Sequence, residues 1–111
     1  MLDRILSREA GVSATALKLV SVTERHFPDV LMVEGLAQLA GVATVQEEGE
    51  GGFLATIDHA EFHGSAQAGD CILYRVRVTK AFGRLFLLEG EAWVEERVLA
   101  RATLTLGVGK I

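Results

Sequence analysis

The chain has 111 residues, which is enough for one compact domain over residues 1–111 and too few for two. Half of the residues are hydrophobic and 23% are charged, which excludes a disordered chain, and the net charge of -4 argues against nucleic acid or an anionic membrane as a partner. The single cysteine excludes an internal disulfide, and the first residues lack a signal-peptide core, so we expect a cytoplasmic protein. Because so small a domain hides this much apolar surface poorly, we also expect a homo-oligomer.

The chain begins with two short apolar runs that predict two strands. These are Met1–Leu6 and Ala14–Val22, and the polar stretch Ser7–Gly11 between them predicts a turn. A polar connection that holds the only proline follows. It ends at Asp29, which is suited to cap the amide groups of a helix.

The stretch Val30–Val45 predicts a helix that is wrapped by protein, because almost every position is apolar or glycine. It is shorter than the ~20 residues that a membrane span needs. Its exceptions include Glu34 and Gln38, which stand four apart and therefore share one stripe. A carboxylate in apolar surroundings either finds a partner or favours its protonated form. Two interpretations stay open: a hydrogen-bonded structural pair, or a catalytic acid with its orienting amide.

The second half of the chain predicts antiparallel strands after an acidic, glycine-rich loop over Gln46–Gly52. The pattern indicates a strand over Phe53–Asp58 and a bend from His59 to Gly69. Three longer strands and their two turns then follow, over residues 71–80, 84–95 and 98–108. One apolar helix among such strands predicts an α+β fold, with the sheet curled around the helix.

For three further groups of residues, the sequence pattern predicts no catalytic role. Cys71 is expected to be a small buried residue of its strand. His59 and His63 lie in the predicted bend, which does not align them, so no metal site is expected. The basic side chains of the later strands form either a patch or, more simply, the charges of a solvated sheet face. They are Arg75, Arg77, Lys80, Arg84 and Arg101.

The order of the residues around the helix resembles the 3-hydroxyacyl-[acyl-carrier-protein] dehydratases of the hot-dog fold (FabZ-like). The similarity begins with His26-Phe27-Pro28 and continues through the helix, and looser matches cover nearly the whole chain. The matching helix positions are Val30, Leu31, Glu34, Ala37, Gln38 and Gly41. The later matches are Phe53–Asp58, Glu61-Phe62, Ala68-Gly69-Asp70, Trp93-Val94 and Leu99–Leu104.

The resemblance implies a hot-dog fold and a lyase that converts a (3R)-3-hydroxyacyl thioester to the trans-2-enoyl thioester in fatty acid biosynthesis. It implies His26 as the base, Glu34 as the acid, and Gln38 and Val30 as substrate-orienting residues. It implies no cofactor and no metal. The expected partners are an acyl thioester on acyl carrier protein or coenzyme A and a second copy of the chain, in a homodimer or a dimer-based hexamer. His26 is expected to come from one protomer and Glu34 from the other.

One departure from the family keeps other functions open. The family has a glycine- and proline-rich segment between its His-Phe-Pro and the helix, whereas only Asp29 stands there in this chain. If the segment is truly lost, Asp29 places negative charge where the reaction develops it. The alternatives are therefore a hot-dog acyl thioesterase, in which Glu34 activates water, and a non-catalytic acyl-binding protein.

Overall fold

A computed structural model describes residues 2–21, 26–27, 29–44 and 50–110. Its elements in chain order are β1 (Arg4–Glu9), β2 (Ser13–Leu19), β3 (His26–Phe27), α1 (Asp29–Thr44), β4 (Glu50–Phe62), β5 (Ala66–Gln67), β6 (Cys71–Phe82), β7 (Leu85–Val94) and β8 (Arg97–Lys110). The predicted helix is confirmed over Asp29–Thr44, where it begins one residue early and includes the expected cap, Asp29.

Six of the strands form one antiparallel sheet in the order β1-β2-β6-β7-β8-β4, and β3 pairs with β5 separately. Helix α1 contacts all six strands of the large sheet, so the sheet must curl around it. The core between them is apolar and includes Met32, Leu36, Leu39, Leu88 and Leu104, each at most 1% exposed. The α+β prediction is therefore confirmed.

Strand β6 shows how the sheet separates its two faces. Ile72, Tyr74 and Val76 point towards α1 and are fully buried, whereas Arg75 and Arg77 lie on the outer face. Cys71 is exposed, so the expectation of a buried cysteine is wrong. It occupies an odd-numbered position at the start of the strand, where the even-numbered positions from Ile72 to Val76 are the buried ones.

Strands β1 and β4 differ most from the sequence prediction, because strand pairing overrides local composition. Strand β1 extends to Glu9, and the turn follows at Gly11, whose φ of 77° suits glycine. Strand β4 begins at Glu50, inside the predicted loop, and continues to Phe62 through the predicted bend, with a bulge between Ile57 and His59. The rest of that loop, residues 45–49, lies outside the described residues.

The C-terminal end of α1 is held by the hairpin of β1 and β2. The Nε of Arg8 donates to the carbonyl oxygen of Val42 at 2.6 Å. The backbone N–H of Gly11 donates to the carbonyl oxygen of Ala43 at 2.7 Å. These bonds satisfy carbonyl groups that have no partner inside the helix. Among the described residues, no helical segment has both the length and the hydropathy that spanning a membrane requires.

Candidate functional site

The side of α1 that faces away from the sheet carries the two polar residues singled out by the sequence. Glu34 is exposed and Gln38 is partly buried, while Met32 and Leu36 are fully buried against the sheet. The expectation that protein wraps the helix on all sides is thus wrong for a single chain, because its one sheet covers only one side. Leu31 and Ala37 beside the stripe are also only partly buried, which leaves Glu34 in an apolar and uncovered surface.

The helix turn that carries Glu34 rests directly on the ring of Tyr74. A Cβ added to Gly35 would lie 2.7 Å from Cζ and 2.8 Å from Oη of Tyr74, much closer than real Cβ contacts. Glycine inside a helix is less favourable than alanine by roughly 1 kcal/mol. Its presence here is explained by the phenol ring, which leaves no room for a side chain.

The hydroxyl group of Tyr74 is buried, with no hydrogen-bond partner in the described part of the chain. Burial raises the pKa of Tyr74 above its ordinary value of 10.0, because the ionised phenolate would lose its hydration. Tyr74 was missed at the sequence level. Its signal was a polar-tipped aromatic residue at a core position of the β6 alternation.

The backbone of His26 is held next to the helix by the short pair of strands β3 and β5. His26 pairs with Gln67, and Phe27 pairs with Ala66. Strand β3 ends at Phe27 and α1 begins at Asp29, so the two candidate elements are nearly continuous. The side chains of His26 and Val30, like Pro28 as a whole, lie outside the described part of the structure.

A turn after β5 supports this pairing. The side chain of Asp70 accepts a hydrogen bond from the backbone N–H of Gln67 at 2.8 Å, and Gly69 has a φ of 89°. The backbone of Val20 accepts from Gly69 at 3.0 Å and donates to Asp70 at 2.9 Å. The turn therefore ties the strand that pairs with His26 to the end of β2.

The outer face of the sheet carries a groove of about 610 Å³. Its arginine and glutamate side chains largely neutralise each other: Arg77 pairs with Glu89 at 2.8 Å and Arg101 with Glu91 at 3.2 Å. Since Arg75 and Arg77 alternate with buried residues that face α1, the groove is on the opposite side of the sheet from Glu34. The interpretation of these charges as those of a solvated face is the one that the ion pairs support.

The two histidines of the predicted bend belong to the same surface. His59 lies in β4 and His63 directly after it, and their Nε2 atoms lie 3.8 Å and 3.9 Å from the carboxylate of Glu61. The expectation that they are not aligned is wrong, because β4 extends to Phe62 and both imidazoles reach the carboxylate of Glu61. Even so, the described residues contain no group of three side chains that could hold a metal ion.

The family model and the sequence relatives that match this chain agree on one protein family. The model of the FabA-like domain matches residues 1–103. The 3-hydroxyacyl-[acyl-carrier-protein] dehydratase FabZ of Campylobacter hominis is 35% identical, over 94% of this chain and 83% of that protein. The FabZ of Nitratiruptor sp. is 32% identical over the same shares.

The solved structures that resemble this chain share its fold at low sequence identity. The fluoroacetyl-CoA-specific thioesterase FlK superposes with a TM-score of 0.79 at 16% identity, over 93% of this chain and 96% of that one. A hot-dog-like protein from Thermanaerovibrio acidaminovorans gives a TM-score of 0.68 at 20% identity, over 91% and 84% of the two chains. These similarities show the hot-dog fold, and they carry no information on the reaction.

The lengths of the alignments add one further observation. The match to the Campylobacter hominis protein spans 120 positions, whereas 94% of 111 residues supplies only about 104, so about 16 positions face gaps in this chain. From the family model and the sequence relatives together, the chain belongs to the FabA-like family and, within it, to the 3-hydroxyacyl-[acyl-carrier-protein] dehydratases, which are lyases of fatty acid biosynthesis.

Proposed function

We propose that the chain dehydrates a (3R)-3-hydroxyacyl thioester to the trans-2-enoyl thioester with His26 as the base and Glu34 as the acid. The observation that carries this proposal is the position of Glu34, which lies on an apolar helix surface that its own sheet leaves uncovered. Gln38 lies one turn further along the same stripe, where it would orient the carboxyl group. Val30, in the first turn of α1, would contact the substrate.

The roles follow from the chemistry of the elimination. A neutral imidazole of His26 takes the proton from C2, next to the thioester carbonyl, and the C3–O bond breaks as the protonated carboxyl of Glu34 gives its proton to the departing hydroxyl. One water leaves, and the proton on His26 returns to Glu34 through solvent. Negative charge on the carbonyl oxygen would be stabilised by free amide groups at the start of α1.

A second copy of the chain would complete this site. Strand β4 lies at the end of the sheet, with no strand partner on its outer edge in the described residues. Ile57 and Phe62 pair with the buried Leu104 and Ala100, so they belong to the helix-facing side of β4, and they are 36% and 41% exposed. A long unpaired edge with exposed apolar side chains needs a partner. A homodimer, or a hexamer built from such dimers, would pair β4 with β4 and cover Glu34.

The chemistry fits an acyl thioester on acyl carrier protein or coenzyme A, held in an apolar channel between the two copies. The reaction needs no metal and no nucleotide. We place the reaction in the cytoplasm.

The assay that tests the proposal follows enoyl absorbance and free thiol together, on purified protein with 3-hydroxyacyl-coenzyme A and with the acyl carrier protein form. We expect enoyl product without thiol release, and we expect Glu34→Gln to abolish it in a folded protein. Glu96→Gln removes an exposed carboxylate of the turn between β7 and β8 instead and is the matched control. Thiol release would favour thioester hydrolysis. Binding without either product would indicate a non-catalytic acyl-binding protein.

A further inference from the structure

We propose that Tyr74 is a positioning residue. Its ring fixes the distance between the sheet and the helix turn that carries Glu34. Gly35 is the partner that makes this contact possible, because any side chain at that position would lift the turn. The inference rests on the proposed role of Glu34. It concerns two residues that do not touch the substrate.

Within the sheet, Tyr74 is held firmly by its neighbours. Tyr74 pairs with Ala16 of β2 and Ala92 of β7, and all three residues are 0% exposed. Because protein interiors are close-packed, a fully buried ring on the middle strand of three has little room to turn. The phenol ring of Tyr74 is therefore held in one position relative to the sheet.

The contact is equally direct on the side of the helix. A methyl group at Gly35 would meet two ring carbons and the hydroxyl oxygen of Tyr74, of which the ring carbon Cε2 is the most distant at 3.1 Å. To relax the shortest contact from 2.7 Å to the 3.4 Å of ordinary packing, helix and ring must separate by about 0.7 Å. Because Cβ is attached to the backbone, this shift moves the helix itself. It displaces Glu34, the preceding residue.

A displacement of this size matters for a proton transfer. Misplacing a reacting group by about 1 Å lowers the rate by roughly 100-fold. Substrate binding depends instead on the apolar surface as a whole. A shift of the Glu34 turn should therefore lower kcat and leave KM nearly unchanged.

A second buried glycine provides a matched control. A Cβ at Gly90 of β7 would meet Cδ2 of Leu36 at 3.1 Å and Cγ1 of Val76 at 3.3 Å, which are both ends of side chains. Gly90→Ala thus adds the same methyl group between sheet and helix. Its neighbours can yield without moving the helix backbone.

The experiment compares steady-state dehydration by wild type, Gly35→Ala, Gly90→Ala and the double variant Gly35→Ala/Tyr74→Leu. We expect Gly35→Ala to lower kcat by about 100-fold at nearly constant KM. Gly90→Ala should keep kcat within about threefold, and the double variant should recover at least about tenfold of the loss. Equal kcat values for Gly35→Ala and Gly90→Ala would overturn the proposal.

Two additional measurements keep the test decisive. If Gly35→Ala does not fold, Tyr74→Leu should lower kcat whereas Tyr74→Phe, which keeps the ring, should not; equal values would overturn the proposal. Thermal unfolding tests the contact independently of catalysis: Gly35→Ala should lower Tm when Tyr74 is present and raise it in the Tyr74→Leu background. If Gly35→Ala shifts Tm in the same direction in both backgrounds, the contact between Gly35 and Tyr74 is refuted. If the shift changes sign but the wild type is inactive, only the proposed function is refuted.

Discussion

The side-chain carboxylate of Asp70 accepts a hydrogen bond from the backbone N–H of Gln67 at 2.8 Å, and Gln67 is the residue that pairs with His26. Asp70→Ala should therefore loosen the pairing of β3 with β5. We expect a loss of about 1 kcal/mol in the free energy of unfolding, and a fall in kcat because the histidine is held less firmly. Urea titration and steady-state kinetics measure the two effects. Asp70→Asn keeps an acceptor oxygen and should lie close to wild type; Asp70→Ala with wild-type kcat would show that the turn does not support the site.

Removal of the Tyr74 hydroxyl should stabilise the protein. The group is buried with no partner in the described residues, so Tyr74→Phe removes an unsatisfied polar atom and keeps the ring beneath Gly35. We expect the free energy of unfolding to rise by about 1 kcal/mol at neutral pH, as urea titration would report, with kcat unchanged. A clear destabilisation would mean that the hydroxyl has a partner.

The same phenol predicts a loss of stability in alkali. Because burial raises the pKa of Tyr74, the unfolded chain releases its proton near the ordinary value of 10.0 while the folded chain still holds it. The unfolded state then binds fewer protons, so stability is full below pH 10 and decreases above it, by at most about 1.4 kcal/mol per pH unit. Thermal unfolding at a series of pH values should show a smaller alkaline decrease for Tyr74→Phe than for wild type. Parallel curves would contradict the prediction.

The capping of α1 by the first hairpin predicts a specific effect at Arg8. Since the guanidinium donates to the carbonyl oxygen of Val42 at 2.6 Å, Arg8→Ala leaves this helix end with one bond fewer. We expect a loss of about 1 kcal/mol by urea titration. Arg4→Ala, at another exposed position of the same strand, is the control, and an equal loss in both variants would assign the effect to the strand.

The exposed edge of the sheet predicts how the copies associate. Ile57→Glu places a charge on the helix-facing side of β4, where a second chain would pack, and should shift the protein towards monomer in analytical ultracentrifugation. Phe82→Glu is the control, because Phe82 is 61% exposed but lies on the hairpin of β6 and β7, away from β4. A dimer that survives Ile57→Glu unchanged would place the interface elsewhere.

Much of the fold was predictable because local sequence patterns determine its main elements. The apolar run of α1 and the alternation in β6 gave the α+β class and nearly the correct bounds. The order of Glu34 and Gln38 on one stripe likewise follows from helix geometry alone.

Features that depend on distant parts of the chain were not predictable in this way. Two-residue strands such as β3 and β5 join residues 26–27 to 66–67 and leave no periodic signal. Gly52 suggested a loop, but pairing with Gly109 of β8 holds it in a strand. The exposure of Glu34 was missed because the sequence shows an apolar helix without showing how many chains share in covering it.

The most direct test of a site shared between two copies is complementation between two inactive variants. Each site of a mixed dimer of His26→Ala and Glu34→Gln would draw its histidine from one chain and its glutamate from the other, so one of its two sites would be intact. Random association of equal amounts then predicts recovery of about a quarter of the wild-type dehydration rate after coexpression. If the mixed preparation forms dimers and shows no activity above that of the separate variants, His26 and Glu34 do not act together across the interface.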